Sequence, residues 1–320
     1  MARDPGNAEE IWCSGYPQPV RASVVGRPMG KTCCIVPIRG PVGGRARQIE
    51  LRHSAANRRD MTIGSTRVRA AVGRVARRLG LRDSPRRAFA NDWYLRHNQR
   101  RQEHLASLRL DVCSKTVLET GAGVGDHTSF FLDRGCRVTI TEPRVENLAA
   151  LRRRYPAEEV VALDLDSPTA NFGRTFDVVY CYGTLYHLSR PAIALEYMAR
   201  QCAGVLLLET CVSRGDALAE NVVAEPAGVP SQAYSGYGCR PTRAWIFAEL
   251  RRHFQHVYLP LTQPAHPEFP LNWSAVDGGS LTRAVFVASR SALSNPLLVE
   301  SLPDRQYISL SGQGSVTKEK

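Results

Sequence analysis

Residues 117–128 read VLETGAGVGDHT. An apolar strand ends on Glu119 and runs into Gly121, Gly123 and Gly125, which alternate with small apolar residues before a helical pattern begins. A strand that enters a helix through a glycine-rich turn is a building block of α/β sheets, and such a turn commonly holds an adenosine or phosphate group. The dinucleotide fingerprint G-x-G-x-x-G would place its third glycine at 126, where Asp126 stands. Glu119 and Asp126 flank the turn with negative charge. A pyrophosphate at the helix N-terminus would be repelled there, whereas a cationic ligand would be welcomed.

The rest of the chain from Lys115 alternates strand and helix patterns. KTVLE, RVTITE, EVVALDL, FDVVYCY and GVLLLET read as strands, separated by helical stretches such as RVENLAALRRRY and PAIALEYMARQC. After the helix PTRAWIFAELRRHF come two more strands, HVYLPL and TRAVFVAS. The proline-bearing stretch between them leaves no room for a crossover helix, so this pair is expected to be antiparallel. The fold class is therefore α/β: a doubly wound, mostly parallel seven-stranded sheet with an antiparallel C-terminal strand pair.

Two further acids stand at strand ends. Glu142 closes the second strand, where a carboxylate can accept both ribose hydroxyls, and Asp164 closes the third, where an acid commonly receives the adenine amine. Each alone could be a helix cap. Together with the glycine spacing, they point to S-adenosylmethionine rather than NAD or ATP.

VLETGAGVGDHT, TITEP, LDLD and FDVVYCYGTLYHLSRP resemble the ordered motifs of class I S-adenosylmethionine-dependent methyltransferases, over about residues 115–290. The tract from GCRPTRAWIFAEL to LTRAVFVASR resembles an uncharacterised bacterial subgroup of them. The resemblance implies a Rossmann-like fold with Glu119, Gly121, Gly123, Gly125, Glu142, Asp164 and Leu165 around the cofactor. It also implies that residues 180–188, with Tyr180 and Tyr182, pass under the methionine and sulfonium.

Because the methyl group arrives activated, the diagnostic residues are those that align the acceptor or take its proton. The stretch Cys181-Tyr182-Gly183-Thr184 lacks the Asp/Asn-Pro-Pro-aromatic signature of many enzymes that methylate nucleic-acid amines. His187 is either a general base for a hydroxyl or a histidine hydrogen-bonded beneath the cofactor. Tyr180, Tyr182 and Tyr186 either line the methyl-transfer channel or belong in part to the core. Glu209 ends the fifth strand and either meets the substrate or caps. Upstream, Tyr94, Asn98, Arg101, Leu105 and Leu108 share one helix face that turns from polar to apolar, which places Asn98 and Arg101 where a cap over the pocket would stand. The long 213–243 segment, rich in Asn, Ser, Tyr and Arg, suits a lid over a hydroxyl-rich ligand. A small polar, carbohydrate-like acceptor methylated on oxygen is the expectation. A tRNA- or RNA-modifying transferase and a non-catalytic S-adenosylmethionine-binding module are the alternatives.

Charge separates these options. Residues 1–110 hold 22 Lys and Arg against 8 Asp and Glu (+14), and the remainder holds 20 against 22 (−2). The basicity lies upstream of the glycine turn, so nucleic acid would be bound through the N-terminal region rather than through the sheet domain. Residues 1–60, rich in Arg, Gly and Pro, are expected to be a weakly ordered extension. Its GRPMGKT at 26–32 has one residue too few between its glycines for a phosphate-binding loop. Met61 offers a second translation start. Residues 61–110 are expected to form basic helices capping the pocket, including a stripe of Val68, Val72, Val75 and Leu79. Residues 111–290 form the catalytic domain and 291–320 a tail. Cys136, Cys181, Cys202 and Cys211 sit in or beside apolar stretches, and no histidine stands at zinc-ligand spacing from Cys33-Cys34. A reduced, cytoplasmic protein without a metal or membrane span is expected.

Overall fold

The computed structural model describes residue 85 and residues 89–226, 228–275 and 281–308. The chain divides into two compact units, Met1–Arg82 and Asp83–Lys320, and the described residues belong to the second. The expected N-terminal extension, the look-alike phosphate loop, Met61 and the stripe from Val68 to Leu79 lie outside the described residues.

Helix α1 (Asp92–Ser107) opens on Asn91, whose side-chain oxygen accepts from the Tyr94 N–H at 2.8 Å. Then come β1 (Thr116–Glu119), α2 (Thr128–Leu132), β2 (Arg137–Glu142), α3 (Val145–Arg154), β3 (Glu159–Ala162) and β4 (Phe176–Tyr182). A single 3-10 turn (Leu185–His187) leads into α4 (Pro191–Gln201) and β5 (Cys202–Val212). The 213–243 segment contains β6 (Val222–Ala224) and β7 (Tyr237–Cys239), which pair antiparallel; it is thus a small hairpin rather than plain loop. After it come α5 (Arg243–His253), β8 (His256–Pro260), β9 (Thr262–Gln263), β10 (Thr282–Ser289), β11 (Leu298–Val299) and β12 (Tyr307–Ile308).

The main sheet has the order β3-β2-β1-β4-β5-β10-β8-β11. Strands β1 to β5 pair in parallel, and β10 runs antiparallel to both β5 and β8. The doubly wound order and the reversed strand pair are as the sequence led us to expect. An eighth strand, β11, joins the edge antiparallel to β8. Two residues are too short to show any periodicity, so the sequence offered no sign of it. The pairing of β12 with β9 likewise draws residues of the expected tail onto the domain.

Side chains alternate across the sheet, as the strand period requires. Leu118, Val179, Cys181, Leu206, Leu208 and Phe286 pack on one face with α4 and α5 through Leu195, Met198, Ile246 and Leu250. On the other face Val117, Val138, Ile140, Val178 and Leu207 pack with Leu105, Phe130, Phe131 and Leu151 of α1 to α3. Each such fully buried aliphatic side chain contributes roughly 1.5–3 kcal/mol. Cys136, Cys181 and Cys202 are buried among these apolar side chains, and Cys211 is buried as well. No helix of the described residues is long and apolar enough to cross a membrane.

The chain order reverses at β1: β2 and β3 lie on one side, β4 and β5 on the other. The turns after β1 and β4 therefore diverge and leave a crevice at the strands' carboxyl ends, the usual ligand position in such sheets. Gly125 shows how tightly the first turn is held. Its φ is +76°, and a Cβ there would stand 2.5 Å from the Tyr155 ring and 2.8 Å from Leu151 at the end of α3. Gly125→Ala is expected to lower stability by about 1–3 kcal/mol, read as a reduced melting temperature.

Candidate active site

The crevice is a cavity walled by the turns after β1, β2 and β4, the stretch after β3, α1, and the 213–243 segment. Gly121, at φ +63°, faces Thr184 so closely that a Cβ would lie 2.4 Å from that side chain. Thr184 Oγ1 donates toward the Thr120 and Gly121 carbonyls at 3.2 and 3.3 Å, which ties the two turns together. Gly123, at φ +59°, gives its N–H to Glu142 Oε2 at 2.9 Å. Gly121 and Gly123 line the cavity; Gly125 does not. Gly125 instead packs against the end of α3.

Glu142 is buried and held by three donors: the Gly123 N–H, the Arg144 N–H at 3.2 Å and Asn147 Nδ2 at 3.0 Å. Burial raises its pKa, and the three hydrogen bonds oppose that rise. A carboxylate offers about four lone-pair sites, so roughly one remains, on Oε2. Glu142 can thus take one ligand hydroxyl readily but is not free to take two. Glu119 is also buried, and its Oε2 accepts from Thr128 Oγ1 at 2.6 Å. Burial pushes its pKa up to about 7 against the pull of that bond and of Arg154. Asp126 is ion-paired with Arg154 Nη1 at 2.5 Å, so the second flanking carboxylate is already neutralised by a partner from α3. Asp164 lies two residues beyond β3 rather than at its end, because pairing with β2 stops at Ala162. It turns back to accept the Asp166 N–H at 2.9 Å, and Asp164, Leu165 and Asp166 all line the cavity.

The opposite wall is polar. Tyr94, Asn98 and Arg101 of α1 line it, as the helix-face pattern predicts, while Leu105 and Leu108 sit in the core. Both polar atoms of the buried Asn98 amide lack a hydrogen-bond partner among the described residues, as does the hydroxyl of Tyr182. Tyr180 and Tyr182 project from the same face of β4, stacked with centroids 4.5 Å apart, and both line the cavity. The Tyr180 hydroxyl meets His127 Nδ1 at 2.5 Å. Burial and Arg101 lower the His127 pKa to about 3, so that ring is neutral.

Glu209 is fully buried and does not line the cavity. It is paired with Arg283 Nη1 at 3.1 Å and with Arg101 Nε at 3.4 Å. Its Oε1 is held by Arg283 beneath the wall, while Oε2 lies beside Arg101 without a hydrogen-bond partner among the described residues. Arg283 extends the set to Glu268 at 2.5 Å and to the Tyr186 hydroxyl at 3.1 Å. His97, His266 and Glu268 bring potential ligand atoms within 4.8 Å of one another. Arg101 lies 3.1 Å from His97, and Arg283 already binds Glu268, so a divalent cation would meet two fixed positive charges. Each like-charge contact near 4 Å costs several kcal/mol even at an effective dielectric of about 20, which makes this group a poor metal site.

Several further wall residues come from the 213–243 segment or contact it. Arg144 Nη2 donates to the carbonyls of Gln232 and Ala233, both at 3.0 Å, and its guanidinium lies over the Tyr234 ring. These contacts bring Pro230, Ser231, Gln232 and Tyr234 over the cavity. From the same segment Glu225 Oε2 meets His187 Nδ1 at 2.5 Å. His187 lines the cavity beside Tyr186, their rings 4.0 Å apart. Burial lowers its pKa, opposed by Glu225 and assisted by Arg240 and Arg283.

Residues 118–203 match a family profile described as a methyltransferase domain. No curated protein matches the chain significantly. Among solved structures it is similar to the N-terminal domain of EvdMO1, determined in the presence of SAH and D-fucose. That likeness has 21% identity and a TM-score of 0.46, over 60% of this chain and 82% of that one. It is also similar to magnesium protoporphyrin IX methyltransferase (ChlM) from Synechocystis PCC 6803 with bound SAM, at 15% identity and TM-score 0.45, over 65% and 90% of the two chains. A third is CalS10, an amino pentose methyltransferase from Micromonospora echinaspora, at 21% identity and TM-score 0.40, over 64% and 94%. Likenesses of this size say nothing about the acceptor of this chain. The profile match to a methyltransferase domain, however, falls on the strands and turns that build the cavity.

Proposed function

We propose that the cavity methylates an oxygen of a small polar acceptor, with carbohydrate-like compounds as the class that fits best. The observation that carries this reading is His187, an imidazole on the cavity wall whose pKa is lowered by burial and whose Nδ1 meets Glu225. Its Nδ1 is engaged by Glu225, which leaves Nε2 to receive a proton. A hydroxyl needs such a base as it becomes a nucleophile.

The donor set suits S-adenosylmethionine: buried carboxylates for an ammonium and a ribose hydroxyl, and close backbone approach at Gly121 and Gly123. When bound, that cofactor supplies a methyl group already activated by its sulfonium. The chain's own residues then bind, orient and move one proton. Glu119 takes the amino group, Glu142 a ribose hydroxyl, and Asp164 the adenine amine, with Leu165 against the ring. Tyr180 and Tyr182 offer their aromatic surfaces to the cationic centre. Asn98, Arg101 and Tyr186 hold the acceptor, and Glu209 orients Arg101 from below. The unpartnered Asn98 amide offers both a donor and an acceptor, which matches a ligand bearing neighbouring hydroxyls.

Glu142→Ala removes a charge-assisted hydrogen bond, and such a bond is worth about 1.5–3 kcal/mol. Calorimetry should therefore show S-adenosylmethionine binding roughly 10- to 100-fold more weakly. The buried Glu119, with its pKa near 7, must ionise to pair with an ammonium. Affinity is therefore expected to fall as pH drops below about 7, with proton release on binding, and Glu119→Gln is expected to flatten that dependence. His187→Gln is expected to slow transfer by roughly 100-fold or more while leaving cofactor affinity intact. Methyl-labelled S-adenosylmethionine, incubated with a panel of glycans, polyols and RNAs, tests the acceptor class. Label in a hydroxyl-rich small molecule is expected; label in RNA alone would overturn the reading.

A further inference from the structure

We propose that Glu225 is a positioning residue: delivered by the 213–243 hairpin, it fixes the tautomer and orientation of His187 and stabilises the imidazolium formed when an acceptor hydroxyl is deprotonated. This rests on the reading of His187 as the base. It assigns a role to a residue that neither the glycine motif nor the strand-end pattern marks.

Glu225 follows β6 directly, and its side chain is 4% exposed. Its Oε2 meets His187 Nδ1 at 2.5 Å and accepts the Ala233 N–H at 2.9 Å. Its Oε1 accepts from Arg240 Nη2 at 2.9 Å. Arg240 is itself anchored, through Nη1, to the carbonyls of Tyr186 at 2.9 Å and Cys239 at 2.7 Å. The carboxylate is thus held from three sides and presents one oxygen to the ring.

The local backbone is shaped around this carboxylate. Gly238 pairs with Val223 across the hairpin. A Cβ at Gly238 would stand 2.6 Å from Glu225 Oε1 and 2.4 Å from the Tyr186 carbonyl. Glycine at 238 therefore allows the hairpin to close onto the turn that carries His187. This steric observation is independent of the hydrogen bond, and both converge on the same pair.

The chemistry follows from the tautomer. A carboxylate at Nδ1 holds the proton there, so the lone pair of the neutral ring resides on Nε2. As the acceptor oxygen forms its bond to the methyl carbon, the methyl–sulfur bond breaks and its electron pair stays on sulfur. The acceptor's proton passes to Nε2, giving an imidazolium whose charge Glu225 offsets. Water then takes the proton, and the products are the methylated acceptor and S-adenosylhomocysteine.

The charged groups that bear on His187 are Glu225, Arg240 from the end of β7 and Arg283 from β10. Asp166 also lines the cavity, with Oδ1 accepting the Arg190 N–H. The neighbouring Tyr186 hydroxyl is bound by Arg283. Burial and the two arginines disfavour the imidazolium, and Glu225 favours it.

A purely structural ion pair that staples the hairpin to the turn predicts the opposite response to substitution. Histidine-labelled full-length protein, saturated with S-adenosylhomocysteine, allows the His187 ring to be titrated by nitrogen NMR without any acceptor. Wild type is expected to show the Nδ1-protonated neutral tautomer. Glu225→Gln is expected to lower the ring pKa by about one unit or more, the size of effect an adjacent opposite charge exerts. If the pair is only a staple, the hairpin loosens, the ring gains solvent, and its pKa climbs toward the ordinary value near 6.5. A rise or no change in Glu225→Gln overturns the proposal. Arg240→Met probes the same field from the other side: it should raise the pKa, and a fall or no change there overturns the proposal equally, including where Glu225→Gln does not fold. Transfer at the wild-type rate by His187→Gln would instead remove the general-base reading, and the NMR coupling would still report whether Glu225 holds the ring.

Discussion

Strand β1 pairs in parallel with β2 on one side and with β4 on the other, and the site depends on that arrangement. Parallel strands bring their carboxyl ends to one edge of the sheet, and the two-residue period then assigns each side chain to a face. Glu119 stands opposite Ile140 and Tyr180 in the register, and Tyr182 stands opposite Glu209. Glu119, Glu142, Tyr180, Tyr182 and Glu209 therefore share the face covered by α1 to α3. The other face receives Leu118, Val179, Cys181 and Leu208, and with them α4 and α5. One polar face at one sheet edge is enough to explain why the cavity lies where it does.

Charge burial shapes the wall beyond this edge. Arg101 from α1 and Arg283 from β10 meet on Glu209 of β5, and Arg283 continues to Glu268. The antiparallel register sets Cys211 against Arg283 and Val285 against Glu209, so Glu209 and Arg283 are diagonal neighbours on one face. Removing one partner from a buried pair commonly costs about 3–5 kcal/mol, because the survivor is left uncompensated. The reversed direction of β10 thus has a local consequence: it supplies the arginine that neutralises Glu209 and steadies Tyr186. Arg101 is presented to the cavity, close against Gly183, by the same network.

Much of this was legible in the chain. Strand periodicity and the glycine turn are local signals, and they foretold the mostly parallel sheet and its reversed strand pair. Tyr94, Asn98 and Arg101 fall together on the cavity wall because a helix sets its own face independently of partners. Other residues have partners that only packing reveals. Gly125 packs against Leu151 of α3 and against Tyr155 just beyond it. Asp126, read as open negative charge, is paired with Arg154. Glu209 was read as the end of the fifth strand, but β5 runs on to Val212, and the side chain lies beneath the wall. In each case the type of residue was informative, and its partner was not visible.

By itself, the sequence determined the α/β class, the turn at Gly121 and Gly123, and the acids that follow successive strands, because hydrophobic period and glycine spacing act over a few residues. Tertiary structure alone decided which charges remain available. Glu225 and His187 are 38 positions apart, and Glu209 and Arg283 are 74 apart. Contacts at such separations depend on strand register, hairpin closure and the exclusion of water, none of which leaves a mark on neighbouring residues. The turn at Gly121 and Gly123 was therefore readable from the chain, whereas the pairings of Glu225 with His187 and of Glu209 with Arg283 took shape only on folding.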